Sequence, residues 1–291
     1  MKQIFACACL LMTFIFSYGQ DTTVTTVTLT DTLTLHAPRH VPEKRQKIYK
    51  IKPRIDLPII LAGTAWTLYG FKEIYNKPNS SEAQINSLNR ANINGFDRWA
   101  AGKYSPSAEK ASDGLFYGSM PLPLLLMLDK DIRKDAGNVL LVYWETMAVT
   151  GVFYTGSAYL VDRYRPFVYN TSVPMDERKS GNSKNSFLAG HPALVASSTF
   201  FIAKVYSDYH PDSKIKWIFY TAATGATLTT AYLRHRAGKH FPSDLIVGTA
   251  IGTASGILVP HFHKRRIIKN PNLSISPFTG ESHGLRVVYR L

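Results

Sequence analysis

The sequence predicts an all-α protein, a six-helix bundle integral to a membrane, with a short strand-like C-terminal tail. Three observations carry this expectation. Hydrophobic residues make up 45% of the 291 and charged residues only 19%, which excludes a disordered chain. Six apolar segments rich in Gly, Ala, Ser and Thr follow one another between residues 57 and 262, as in helices that pack closely inside a bilayer. Two of them hold the strongly apolar runs LPLLLML (122–128) and IVGTAIGTASGILV (246–259). Several segments fall short of the roughly 20 residues of a full span, and mean hydropathy is only −0.09. By length alone, a soluble bundle with thick core helices is the alternative.

Taken in order, residues 1–19 have the layout of a secretory signal peptide: Lys2, an apolar stretch from Ile4 to Phe16, then Ser17 and Gly19. An uncleaved anchor helix is the competing reading. The chain's two cysteines, Cys7 and Cys9, both fall inside this leader. A disulfide scaffold or a cysteine-based zinc site is therefore excluded. Residues 20–56 read as a linker, first Thr-rich and then strongly basic from Arg39 to Arg54, where cations can meet anionic headgroups. The helical core is expected over 57–263, in the segments Leu57–Phe71, Leu115–Leu128, Val139–Val161, Ala193–Val205, Ile215–Leu233 and Leu245–Phe262. In the polar stretch between the first two, Ser80 or Ser81 can cap a short helix. The tail, 264–291, ends in Gly-punctuated alternation that predicts one or two short strands.

Three clusters fall at segment boundaries. They are Asp162–Pro166 (DRYRP), Ser186–Pro192 (SFLAGHP) and Arg234–Asp244 (RHRAGKHFPSD). In an up-down bundle, the ends of segments three and five and the starts of four and six share one face, so all three clusters meet at one end. Arg165 and Arg234 offer planar forks suited to a tetrahedral oxyanion. Gly190 allows close backbone approach, with its N–H at a helix start. His240 and Asp244 are four apart, so a carboxylate can hold one imidazole nitrogen protonated and leave the other free to attack. His191 is the second titrating group, placed to protonate a leaving oxygen. No metal-ligand set or cofactor is implied, so arginines and helix N-termini must balance the developing charge.

The order RP, GH, R-x5-H-x3-D resembles the signature of the type-2 phosphatidic acid phosphatase superfamily, K-x6-RP, PSGH and SR-x5-H-x3-D, over roughly Leu57 to Phe262. The resemblance implies a metal-independent phosphatase acting on a lipid phosphomonoester or pyrophosphate through a phosphohistidine. His240 would be the nucleophile, Asp244 its orienting carboxylate and His191 the proton donor. Arg165, Arg234 and the Gly190 N–H would hold the phosphoryl oxygens. Three departures stand out: Ala158 occupies the family Lys position, Ala189 replaces the hydroxyl of PSGH, and Leu233 precedes Arg234. Arg163, Lys184 and Lys239 are the candidate compensating cations.

The net charge of +14 fits an anionic lipid phosphate as partner, and no nucleic-acid module is present. A soluble exported acid phosphatase or vanadate-dependent haloperoxidase shares the signature. A non-catalytic lipid-phosphate binding protein is a reading from another class, motivated by Ala158 and Ala189. His261 and His263 form an H-x-H beside Lys264, read as an interfacial basic cluster. Glu145, inside the third segment, is either functional or paired with a basic group within the bundle. Localisation is expected in a bacterial cell membrane. Basic flanks before Leu57 and after Phe262 favour an extracytoplasmic site, whereas a cleaved leader turns a six-pass bundle the other way unless one segment, Leu57–Phe71 first, fails to cross.

Overall fold

The computed structural model describes residues 47–265 and, as backbone, 273–279 and 283–289. The leader and most of the 20–56 linker lie outside the described residues. Six helices of 14 residues or more form an all-α bundle: α1 Pro53–Tyr75, α2 Pro106–Ser119, α3 Ala136–Leu160, α4 Gly190–Tyr209, α5 Lys216–Arg236 and α6 Pro242–His263. Two antiparallel strands, Leu273–Thr279 and His283–Tyr289, make up the tail hairpin, with Leu273 opposite Tyr289.

Local chemistry explains the boundaries. α1 and α6 begin with Pro at the first turn, and each carries an aspartate that accepts a backbone N–H at its own N-terminus. Asp56 takes that of Lys52 and Asp244 that of Phe241. Ser81 caps the short helix Glu82–Asn86 in a reciprocal box with Gln84. The core also starts earlier than Leu57. Tyr49 is fully buried, donates to Asp208 at 2.8 Å and pairs with Lys264.

The second apolar segment is corrected by the structure. Leu115–Leu128 is not one helix. α2 arises mainly from the polar stretch before it, behind the cap Ser105, and stops at Ser119. Pro121 and Pro123 withhold backbone donors that a continuing α-helix needs, and Leu122–Leu128 winds as a 3-10 helix instead.

α4 runs through the middle, in contact with α2, α3, α5 and α6. Its small residues let neighbours approach closely. Gly248 and Gly252 of α6 face the Ala189 and Ala193 carbonyls, and a β-carbon at Gly252 would lie 2.0 Å from the latter. Lys204, buried in α4, is matched by Asp208, which also meets Lys264. The outer faces are apolar. Leu61 and Leu68 of α1, Phe153 and Leu160 of α3, Trp217 and Leu228 of α5, and Ile246 and Phe262 of α6 are all exposed. Among the described residues, α6 alone is both long and apolar enough to cross a membrane.

The helix directions define two ends. At one, the Ile74 carbonyl near the end of α1 accepts from Asn185, just before α4. At the other, Lys50, before α1, donates its N–H to the carbonyl of His263, the last residue of α6.

Candidate active site

The three sequence clusters are laced together by backbone hydrogen bonds. Arg163 N–H donates to Lys184, Arg165 N–H to Ser183, Ser186 N–H to Arg163, Phe167 N–H to Gly238, and Ala189 N–H to Asp244, at 2.8–3.2 Å. Gly238, at φ 69°, supplies the left-handed turn that ends α5 and sends the chain back toward α6. Arg165, Arg234 and His191 thereby lie close enough for their charges to act on His240, and this end of the bundle is called the cup below.

His240 is essentially inaccessible, and its Nδ1 lies 2.6 Å from the Ser186 carbonyl. A carbonyl only accepts, so Nδ1 carries the proton and Nε2 keeps its lone pair. The expected direct bond from Asp244 is absent. Asp244 sits in the first turn of α6, where its carboxylate accepts from Phe241 N–H, Arg163 and, at 2.6 Å, the Ser186 hydroxyl. It therefore positions His240 one residue removed, by fixing Ser186. Burial, then the charges of Arg165 and Arg234, hold the His240 imidazole well below its ordinary range, and the Ser186 carbonyl does not offset them.

The two guanidiniums are buried yet incompletely paired. Among the described residues, the Arg165 guanidinium reaches only Asn182, at 3.4 Å. Arg234 donates to Ser112 at 3.3 Å and Asp113 at 3.2 Å. Among the described residues, neither Nε has a hydrogen-bond partner. Desolvated donors of this kind favour an anion between them.

His191 stacks on Phe116, with ring centroids 4.3 Å apart, and its Nε2 lies 2.9 Å from Asp113. Asp113 thus holds both His191 and Arg234. Burial raises its carboxyl, but His191, Arg234 and Lys239 together bring it below the ordinary value. Asp113 carries no sequence signal, because it lies in a stretch that reads as a polar connection. The same holds for Ser112 and for Glu109.

Gly190 needs a different explanation from the one its motif implies. An added β-carbon would lie 2.5 Å from the Tyr154 ring, so the missing side chain makes room for Tyr154 of α3. Of the three candidate compensating cations, Arg163 is fully engaged. It meets Asp97 at 2.7 Å, Ser243 at 2.9 Å and Asp244, and lies over the Phe241 ring. Lys184 contributes its backbone carbonyl to the lacing. Lys239 is buried beside the cup, 2.8 Å from Glu109 and 4.0 Å from Glu177, and burial and then Arg165 lower its ammonium. Asp97, also without a sequence signal, is fully buried and accepts from Ser243, Asn94 and Arg163.

Residues 139–268 match the family model of the PAP2 superfamily. Among solved structures, the chain is similar to a transmembrane PAP2-type phosphatidylglycerolphosphate phosphatase from Bacillus subtilis. That likeness has 20% identity and a TM-score of 0.41, over 71% of this chain and 94% of that one. No curated protein matches the chain.

Proposed function

We propose that the protein is a membrane phosphatase that hydrolyses a lipid phosphomonoester or pyrophosphate through a phosphohistidine at His240. One observation carries the reading: a buried His240 whose Nδ1–H is fixed on Ser186, leaving the Nε2 lone pair in the field of two arginines with open donors. Nε2 attacks phosphorus in line, the P–O bond to the leaving group breaks, and the departing oxygen takes a proton from His191. Arg165, Arg234 and the Gly190 N–H balance the charge on the phosphoryl oxygens. His191 then takes a proton from water, whose oxygen bonds to phosphorus as the N–P bond breaks, releasing inorganic phosphate. Asp113, bonded to His191 Nε2, works against the burial and the Arg234 charge that disfavour the His191 imidazolium. The test is phosphate release from phosphatidic acid, phosphatidylglycerol phosphate, a polyprenyl pyrophosphate and a water-soluble aryl phosphate. Turnover confined to the soluble substrate would overturn the lipid assignment.

The outward-facing apolar side chains of α1, α3, α5 and α6 support a bilayer setting. Lys47, Lys50, Lys52, Lys264 and Arg265 all lie near the end remote from the cup. Basic flanks on the cytoplasmic side would support a cup that faces outward. This orientation requires that the leader not carry residues 20–52 across. With Ser172→Cys in the exposed cup-side loop, labelling of intact cells by an impermeant maleimide is expected. Protection until the cells are lysed would invert the orientation.

Lys239 supports the reading as replacement for the missing family lysine. Ala158 is fully buried, and its carbonyl accepts from the Lys77 ammonium at 2.6 Å. Lys239→Met is expected to lower kcat/KM by about 10- to 100-fold, the size of one charged hydrogen bond to the phosphoryl group, with secondary structure unchanged. Wild-type kcat/KM in that variant would remove Lys239 from the site.

The His240 environment also predicts its titration. A group whose protonation is disfavoured by burial and neighbouring cations stays neutral as pH falls past its ordinary midpoint. Followed by imidazole 15N resonance, His240 is expected to stay neutral as pH falls through the ordinary imidazole midpoint of about 6.5. A midpoint near 6.5 would contradict the geometry.

A further inference from the structure

At the end of the bundle remote from the cup, three side chains from three helices converge in the interior. Asp56 lies in the first turn of α1, Glu145 in the third turn of α3, and His263 is the last residue of α6. All three are buried. His263 Nε2 lies 3.3 Å from Asp56 Oδ2 and 3.2 Å from Glu145 Oε2, and the three atoms fall within 4.8 Å of one another. We propose that they bind one divalent transition-metal cation of about the size of zinc, which fastens α1, α3 and α6 together.

Four features support an ion rather than a plain salt-bridged triad. First, His263 Nδ1 lies 2.8 Å from the Val259 carbonyl. Nδ1 therefore carries the proton and Nε2 can present a lone pair, the second-sphere arrangement that orients metal-binding histidines. Second, an imidazolium bonded to a carboxylate draws N···O to about 2.7–2.9 Å, whereas both separations here are longer and nearly equal. Ligand atoms about 2.0–2.1 Å from a tetrahedral ion stand roughly 3.3–3.4 Å apart, which fits both. Third, Glu145 Oε2 is buried without a hydrogen-bond partner among the described residues and points at His263. An unsatisfied carboxylate oxygen is unfavourable in the interior, and a cation would satisfy it.

The fourth feature is charge. Two carboxylates and a neutral imidazole sum to −2, which a divalent ion neutralises, while an imidazolium would leave a net negative charge buried. Among the described residues, no lysine or arginine side chain pairs with Asp56 or Glu145; the one further donor to Asp56 is the Lys52 backbone N–H. One nitrogen and two carboxylate oxygens suit zinc or a neighbouring transition ion rather than magnesium or calcium, which prefer all-oxygen sites. His261, the other half of the H-x-H pair, is exposed and takes no part.

The experiment uses the full chain, purified in detergent without a polyhistidine tag. After incubation with Zn2+ and dialysis, elemental analysis is expected to find one equivalent per chain. Added Zn2+ should raise the melting temperature and a chelator should lower it. Cobalt(II) in place of zinc should give the intense visible absorption of a tetrahedral N/O site. Glu145→Gln, nearly isosteric, is expected to reduce bound zinc to less than a tenth and to abolish the zinc-dependent shift, with Asp56→Asn as the second variant. Wild-type protein that retains no Zn2+, Mn2+ or Co2+ would overturn the proposal. So would wild-type zinc occupancy in folded Glu145→Gln, leaving the triad as an imidazolium between carboxylates. Should neither variant fold, the stoichiometry and cobalt spectrum of the wild type decide alone. None of these readouts depends on phosphate release, so they stand or fall separately from the reaction proposed at the cup.

Discussion

Replacing His240 with alanine is expected to abolish phosphate release from every substrate the wild type accepts, by about 10^4-fold or more, as when a covalent nucleophile is removed. The geometry makes the expectation sharp. His240 is fixed through Nδ1 by the Ser186 carbonyl, and Ser186 is fixed in turn by Asp244. Lipid-phosphate binding should survive, because the arginines remain. Acid-labile, base-stable phosphate should be trapped on wild-type protein and absent from His240→Ala. Binding with no turnover in the wild type as well would favour the non-catalytic reading. Substantial turnover in His240→Ala would remove the phosphohistidine.

The second large effect comes from Arg165, and here activity and stability are expected to part. Arg165 is 7% exposed, makes one long hydrogen bond and leaves Nε without a partner among the described residues. A buried cation so poorly matched stabilises a bound anion at the expense of the fold. Arg165→Met should therefore cut kcat/KM by about 10^2- to 10^3-fold while leaving the melting temperature unchanged or raised. Arg163, two residues away, should behave in the opposite way. Its loss strands the fully buried Asp97 and Asp244 and should destabilise by about 3–5 kcal/mol. Thermal denaturation and kinetics of the two variants side by side check both statements. Equal loss of stability in each would show that Arg165 is a structural cation too.

How much of this was legible beforehand differs from element to element. The long helices α1, α3, α4, α5 and α6 were readable because each is a sustained apolar run. α2 was not, since its residues are polar and the apolar run beside it is broken by Pro121 and Pro123. The short helix after Ser81 was readable because a capping box is encoded within four residues. Among the site groups, Arg165, His191, Arg234 and His240 lie in compact motifs at helix ends, and up-down connectivity was sufficient to bring them together. Asp113, Asp97 and Glu109 belong to no motif, and they enter only because α2 and its preceding loop fold over the cup.

Burial patterns, caps and motif spacing are properties of neighbouring residues, so the linear chain by itself determined the all-α bundle and the end at which its cationic cup forms. Which atoms meet across the bundle depends on helix rotation and on distances of an ångström or less, and only the tertiary structure decided those. It turned Asp244 toward Ser186 and Arg163 instead of His240, and gave the space beside Gly190 to Tyr154. It also left Lys239 as the cation beside the cup, and brought Asp56, Glu145 and His263 together across two hundred residues of chain.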